Sequence, residues 1–484
     1  VLLLVALAAA SPDDEVARAA ARKVVLDEGL DAFTGLAPAG DAGAAFTLGD
    51  CARGGTWATT LLGPACARTL GSFKPTGSLR LTGTLFGGDA EPLNSAGDGS
   101  DAALGGRLGI RGAVYSGPMV ARVRGSLGLE GVPGVAPDAH LPEAWMGYDS
   151  GTHWLGFGQA SRWMGPGQHG TLVLSDNATP PWMVNGGLEG RLPGVLAKAG
   201  RFRAELGVGV LQERRDDVSL PGLLMMDVRY MPHPVFEIGL SRLSIFGGED
   251  RPAVDFGQLL VPSEPHIYDD PDKSLPDQNE LAAVSLRANL PLHRWLGGPF
   301  GHVSGWWEYG GEDMIVRQLG DIDYPALAGI ANLYGGEVAM GPVVVTGEYA
   351  RLMDDRFRWY VGHRVYHDGF TQNGEVLGHH GGTDSEVLSA SVAVWGERWR
   401  LRALGMSTRR VGVVDTQNGV VSTLRHEESQ LRATAGADVM IGDFWLNAGY
   451  TAVSFENKDF IGNHDPLEHR VVLSIAAGPE MIRR

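Results

Sequence analysis

The chain has 484 residues but no run of about 18 apolar ones, so no single helix of it spans a bilayer. Basic side chains are outnumbered: 40 Lys and Arg stand against 57 Asp and Glu, and 40 − 57 = −17. That balance argues against a nucleic-acid partner, since neutralising phosphates needs a basic surface. No Ser-His-Asp elbow, phosphate-binding loop or metalloprotease motif is present. The expectation is therefore a protein that is not an enzyme and uses no cofactor. Cysteine is almost absent, with Cys51 and Cys66 the only two.

What is abundant is glycine, 70 residues of it, set among short segments of alternating polarity. Mean hydropathy is near zero, at −0.06, as expected of a barrel in which only every second residue meets lipid. In Ser78–Leu85, Leu79, Leu81 and Leu85 share one face and Ser78, Arg80, Thr82 and Thr84 the other. In Met119–Leu129, Met119, Ala121, Val123, Leu127 and Leu129 oppose Val120, Arg122, Arg124 and Ser126. Phe202–Val210 and Trp399–Ala403 repeat the pattern, the latter setting Arg398, Arg400 and Arg402 opposite Trp399, Leu401 and Ala403. Successive side chains on a strand point to opposite faces, so this is a sheet with one apolar and one charged side.

The joints alternate in length. Tight ones lie at Ser116-Gly117-Pro118, Asp149-Ser150-Gly151, Met231–Pro234, Met340-Gly341-Pro342, Gly396-Glu397 and Ile441-Gly442-Asp443. Between them run long excursions at roughly 87–105, 130–140, 160–182, 213–220, 247–280, 310–328, 354–385, 409–429 and 456–467. Trp and Tyr cluster near strand ends (Trp145, Tyr148, Trp154, Trp306, Trp307, Tyr309, Trp445, Tyr450), as interfacial girdles require. The segments count to about eighteen, an even number as single-chain outer-membrane barrels have. The predicted fold is an all-β transmembrane antiparallel barrel over residues 73–484. Both termini then lie on the periplasmic, short-turn side and the long loops outside the cell. A large soluble β protein is the alternative.

Before the barrel, Val1–Ala10 reads as a signal-peptide remnant, with cleavage after Ala8 or Ala10. Ser11-Pro12-Asp13-Asp14-Glu15 then opens a helix running to about Asp27, within a small helical segment over 11–72. Export would place Cys51 and Cys66 in an oxidising compartment and favour a disulfide. Closing a loop of ~15 residues is worth about 3 kcal/mol in the chain-entropy model.

The most unusual sequence sits in the long excursions: Arg162-Trp163-Met164-Gly165-Pro166-Gly167, then Gly170–Leu174 and Ser175-Asp176-Asn177-Ala178-Thr179-Pro180. With Trp307–Asp313, Gly347-Glu348-Tyr349, Tyr366–Phe370, Leu377-Gly378-His379-His380-Gly381 and Asp384-Ser385, this resembles the Wzi family of capsule-assembly outer-membrane proteins, over roughly residues 75–475. The resemblance implies a barrel of about eighteen strands with an N-terminal helical plug at its periplasmic end. It also implies a lectin-like role, holding capsular polysaccharide or exopolysaccharide at the cell surface. Outer-membrane lipid or lipopolysaccharide and, during biogenesis, the barrel-assembly machinery are the other implied partners. A porin or polysaccharide export channel is the alternative function. One departure is that the last strand, Val471–Ala476, lacks the usual closing aromatic.

The candidate site residues follow. Arg162, Trp163, Gly165, Pro166, Gly167, Asn177, His379 and Asp384 are candidates for glycan binding or for the core of a loop folded into the barrel. For Trp163 both sugar stacking and packing are open, and Gly165-Pro166-Gly167 is turn chemistry. Arg122, Arg124, Arg400 and Arg402, with Arg80, Arg107, Arg111, Arg203 and Arg287, would face the lumen. Their planar donors suit carboxylate or phosphate, or they pair with lumen acids such as Glu189, Glu205, Glu337 and Glu348. His379 and His380 are expected to point apart on an extended chain and hold no metal. Asp269, Asp270, Asp272 and Asp277 read as a solvated loop, lacking the spacing of a calcium loop.

Overall fold

The computed structural model describes Leu36–Ala37 and residues 76–477, apart from connecting segments, chiefly 91–103, 131–137, 192–198, 212–214, 255–258, 260–277, 293–299, 354–357 and 417–419. The signal segment, the helix expected over 11–27, the Cys51–Cys66 bridge and the acids of 269–277 lie outside the described residues.

Eighteen strands close into one antiparallel barrel. They are β1 (Thr76–Gly88), β2 (Leu104–Ser116), β3 (Met119–Glu130), β4 (Asp138–Asp149), β5 (His153–Gln159) and β6 (Trp182–Arg191). Next come β7 (Arg201–Val210), β8 (Gly222–His233), β9 (Phe236–Phe246), β10 (Gln278–Leu290), β11 (Phe300–Glu312) and β12 (Ile330–Met340). The last six are β13 (Val343–Leu352), β14 (Ser385–Trp395), β15 (Trp399–Arg410), β16 (Glu428–Ile441), β17 (Phe444–Glu456) and β18 (Leu467–Ala477). Each strand pairs with the next, and β18 closes on β1 from Leu81↔Ala477 to Gly88↔Arg470. Closure removes every open sheet edge, which is what allows a sheet to sit in lipid. This is an outer-membrane β-barrel fold.

The period-two reading of the strands is the structure's own. Leu81, Leu85, Met119, Val123, Leu127 and Leu401 are all exposed on the outer wall. With Met146, Leu155, Leu388, Leu431 and Leu473 they make an apolar exterior, the surface a lipid-facing barrel presents. The alternate positions point inward and are polar: Arg107, Asn185, Asp227, Arg229, Arg287, Glu308, Glu348, Arg400 and Asp438 are buried.

One aromatic expectation needs correction. Tyr148 and Tyr450 are exposed on the outside, but Trp145, Trp306 and Trp445 are buried. They face the lumen because they share parity with inward polar residues: Trp145 stands two positions from Glu143, and Trp306 two from Glu308. Arginines lie over these inward rings. Arg122 sits 4.8 Å from the Trp145 centroid, Arg203 4.5 Å from Trp154, Arg287 5.1 Å from Trp306 and Arg400 5.2 Å from Trp395. A desolvated guanidinium over an indole gains cation–π attraction, so these tryptophans dress the arginine wall rather than the interface.

Candidate functional site

Two of the long loops do not project away from the barrel. The segment 160–181, between β5 and β6, and the described residues of 353–384, between β13 and β14, turn inward at the long-loop end. Together they supply much of the main core: Met164, Leu172, Val173, Leu174, Trp359, Tyr360, Tyr366, Phe370 and Leu377 pack against wall residues such as Leu223, Leu281, Leu333 and Leu352.

The first loop is built around its Trp-x-Gly-Pro-Gly nose. Trp163 Nε1 donates back to Gly167 O at 3.0 Å, closing the turn on itself. Pro166 O accepts from Arg287 Nη1 on β10 at 3.3 Å. Beyond the nose, two wall carboxylates take the loop's backbone donors. Glu348 on β13 accepts from Gln168 N and His169 N, each at 2.6 Å, and from Trp306 Nε1 at 2.9 Å. Glu308 on β11 accepts from Leu172 N at 3.2 Å, and the Thr171 hydroxyl lies 3.1 Å from it and 2.5 Å from Met164 O. Buried carboxylates need several donors to remain in place, and here the loop backbone supplies them. His169 completes the grip, its Nδ1 and Nε2 lying 2.7 and 3.0 Å from the hydroxyls of Ser389 and Ser391 on β14.

The second loop is stitched to the first. Tyr360 OH donates to Leu172 O and accepts from His379 N, both at 2.7 Å. Ser175 N donates to Leu377 O at 2.8 Å, and Asn177 Nδ2 to Val376 O at 3.0 Å. A third loop joins through Arg215, which binds Asp217 Oδ1 at 2.9 Å and Gly369 O at 2.9 Å, while Asp368 N donates to Asp217 Oδ2 at 2.9 Å. Burial raises the Asp217 pKa, but the Arg215 hydrogen bond and the Val218 and Asp368 amides outweigh it and leave it below the ordinary carboxylate value. The outcome is a cap of interlocked loops across the barrel mouth. The amino-terminal side reaches it too: Leu36–Ala37 pairs antiparallel with Trp163–Met164.

The candidate residues therefore divide. Trp163, Gly165, Pro166 and Gly167 are buried in the nose. Arg162 bonds Glu205 at 3.2 Å at its base, and Asn177 and His379 lie in the seam between the loops. Asp384, where β14 begins, pairs with Arg358 at 3.1 Å. Arg122, Arg124, Arg400 and Arg402 stand on the inner wall, away from this seam. Arg122 lies 3.5 Å from Glu143, and Arg400 and Arg402 lie 2.9 and 3.7 Å from Asp438. Arg203 pairs with Glu189 and Glu205 at 3.4 and 3.1 Å. Of the lumen acids, Glu337 pairs with His302 at 2.8 Å, and Glu348 serves loop amides instead of an arginine.

The histidine expectation is corrected. His379 and His380 do not point apart; their rings stack with centroids 4.4 Å apart. The chain turns here, with Gly382 N bonded to His379 O at 3.0 Å, so alternation does not apply. Among the described residues no group of three or more His, Cys, Asp or Glu side chains is arranged to hold a metal.

Glu308 was not among the candidate residues, and Glu348 was named only as a lumen acid for the arginines to pair with. Their signal was the cross-strand register. Glu348 faces Gly335 and Ser389, and Glu308 faces Ser285 and Leu333. An inward acid with no cation beside it on the ladder is left able to take donors from elsewhere.

The nose makes a direct prediction. A Cβ on Gly167 would fall 1.9 Å from Gly170 O, a backbone atom that cannot swing away. Gly167→Ala is expected to destabilise the protein by about 1–3 kcal/mol through overpacking. Gly405→Ala, on the open outer wall with nothing within 4 Å, should be near neutral. Urea midpoints of the two variants check this; equal midpoints would show that the nose is not tightly packed.

The family model described as "Capsule assembly protein Wzi" matches residues 87–463. Among solved structures, the chain is similar to Wzi of Escherichia coli, described as an outer membrane protein involved in group 1 capsule assembly and a carbohydrate-binding β-barrel. That match has 18% identity, covers 99% of each chain and has a TM-score of 0.68. The chain is also similar to OccAB2 of Acinetobacter baumannii, at 10% identity over 85% of this chain and 100% of that one, with a TM-score of 0.50. At such identities both are likenesses of fold. No curated protein sequence matches the chain.

Proposed function

The chain belongs to the Wzi family of capsule assembly proteins, and from that premise we propose that it is a non-enzymatic, lectin-like anchor for capsular polysaccharide or exopolysaccharide on the outer membrane. The long-loop end of the barrel faces outward and both termini lie in the periplasm, with the amino-terminal segment as a plug that reaches the first inward loop through Leu36–Ala37. The interlocked cap carries this reading. Glu308, Glu348, Tyr360 and Ser175 spend their hydrogen bonds fastening loops across the mouth, which suits a rigid surface platform better than an open pore. A related barrel described as carbohydrate-binding supports the ligand class.

The anchor reading predicts that deleting the gene leaves polysaccharide synthesis intact but moves the product from the cell into the medium. An unchanged cell-bound fraction would sink it. The porin or export-channel reading predicts large, stable conductance steps from the purified protein in planar bilayers, where the anchor should give none. Orientation is read separately, by an epitope inserted at position 418 and detected on intact cells.

A further inference from the structure

The outer wall of β11–β15 is layered in a way the cap does not explain. The register sets Asn332, Arg351, Glu386 and Arg409 in one outward row at the long-loop ends of their strands. One step toward the short turns, Trp307, Tyr334 and Tyr349 form a second row. A further step brings Gly305, Gly336, Gly347, Ala390 and Gly405 side by side across five adjacent strands. This third row is a shallow trough: a Cβ on Gly405 would meet nothing within 4 Å, and one on Gly305 or Gly347 would meet only a backbone oxygen at 4.0 or 3.9 Å. Exposed Leu388 and Val345 border it.

Of the charges in the first row, Arg351 is the one most open to an incoming anion. The Arg351 side chain is 51% exposed and lies 3.6 Å from Glu386 Oε1, beyond hydrogen-bond range. Among the described residues no hydrogen bond engages it. Arg409, 48% exposed, lies 3.5 Å from Glu386 Oε2 and forms a forked pair with Glu427, at 2.7 and 2.8 Å. Tyr349 OH donates to Glu386 Oε1 at 3.2 Å. The exposed Arg351–Glu386 contact holds weakly, whereas the Arg409–Glu427 fork is the stronger geometry. A guanidinium fork grips phosphate through parallel N–H···O bonds, so a phosphate here competes with Glu386 for Arg351 and with Glu427 for Arg409. The two arginines stand two strand spacings apart, roughly 10 Å. Charge on a barrel's lipid face is tolerated only near an interface, and aromatic rows mark the same level. Arginines above aromatics above an apolar trough follow the order of an amphiphile: phosphate, sugar, acyl chain.

We infer that the β11–β15 face binds a phosphorylated glycolipid of the outer leaflet, with phosphate on Arg351 and Arg409, saccharide against Tyr334 and Tyr349, and an acyl chain along the Gly/Ala trough. The assignment to the outer leaflet rests on the orientation proposed above.

The test uses the full chain in phosphatidylcholine nanodiscs, titrated with rough-type lipopolysaccharide before and after dephosphorylation. The phosphorylated form is expected to bind at least tenfold tighter. That preference should disappear in the double variant Arg351→Ala/Arg409→Ala and fall several-fold in Arg351→Lys, which keeps the charge but not the fork. Heat-modifiable gel migration confirms that each variant is folded; if the double variant is not, the lysine variant alone decides. Three results would overturn the inference: a preference that survives the variants, equal binding of phosphatidylglycerol, or a self-associated dimer that excess glycolipid does not dissolve. Nanodisc binding does not depend on orientation in the cell, so an inverted barrel would show in the epitope experiment and leave the titration unchanged.

Discussion

Glu348→Ala is expected to release the first inward loop from the wall. The carboxylate takes three donors, Gln168 N, His169 N and Trp306 Nε1, all at 2.9 Å or less. Removing it strands all three where the loop leaves little room for water. A buried donor left without a partner costs about 1–3 kcal/mol, so the loss should reach several kcal/mol. Glu308, the other wall carboxylate that takes backbone donors of this loop, is already engaged by Leu172 N and Thr171. Amide exchange resolved over 163–172 reads the release: each 1.4 kcal/mol of lost opening free energy is about a tenfold faster exchange, so at least a hundredfold acceleration is expected. Exchange elsewhere in the barrel should change little. Glu348→Gln keeps one acceptor oxygen and should fall between the two. Unaltered protection of Gln168 and His169 in the alanine variant would show that the nose is held by packing alone.

The contrast between what was readable and what was not is one of range. The strands were legible because their information is local. Met119, Val123 and Leu127 declare an outward face by period two, and joints such as Met340-Gly341-Pro342 declare a turn, with Gly341 at φ 53°. The same parity rule, applied to Trp145 and Trp306, would have placed them inside; reading them as girdle residues let residue type override position. The Trp163–Gly167 nose was recognisable as a turn. Its burial depends on a carboxylate 180 residues away, and nothing in the local sequence specifies such a partner. His379 and His380 failed for a related reason. Alternation holds only while the chain is extended, and the turn at Gly381-Gly382, where Gly382 has φ 71°, folds both rings to the same side. The arginines were half legible. Their inward direction followed from alternation, and acids such as Glu189 and Glu205 could be named for them as a group; that both pair with Arg203 is seen only in the barrel. Which of the lumen acids served loops instead, as Glu348 does, required the closed barrel.

That stacked pair is expected to make the cap acid-sensitive. Burial holds the His379 imidazole far below its ordinary value, at about 3, and the neighbouring His169 adds to the effect. His380 is pushed down in the same direction by burial first, then by His379, His169, Arg432 and Arg410. Around the rings stand a phenol, a thioether and cations. Tyr360 OH accepts from His379 N, and Met406 Sδ lies 3.1 Å from His380 Nε2. His379 Nδ1 accepts from Gly381 N at 3.0 Å, a bond that only the neutral form with that nitrogen bare can make. The folded pKa is depressed, so the unfolded or released segment binds more protons between the two values. The contribution to stability is then complete above about pH 6.5, the ordinary histidine value. It is lost progressively as pH falls toward 3, the folded-state value. Cap order should therefore weaken between pH 6.5 and about 4 while the strand ladder, held by backbone hydrogen bonds, persists. Exchange over 358–384, followed against pH, measures this directly. His379→Gln should flatten the dependence, because its amide is uncharged throughout the range, and the residual slope then belongs to His380 and the carboxylates. A wild-type cap whose protection is the same at pH 7 and pH 4 would exclude the histidine pair as its acid-labile element.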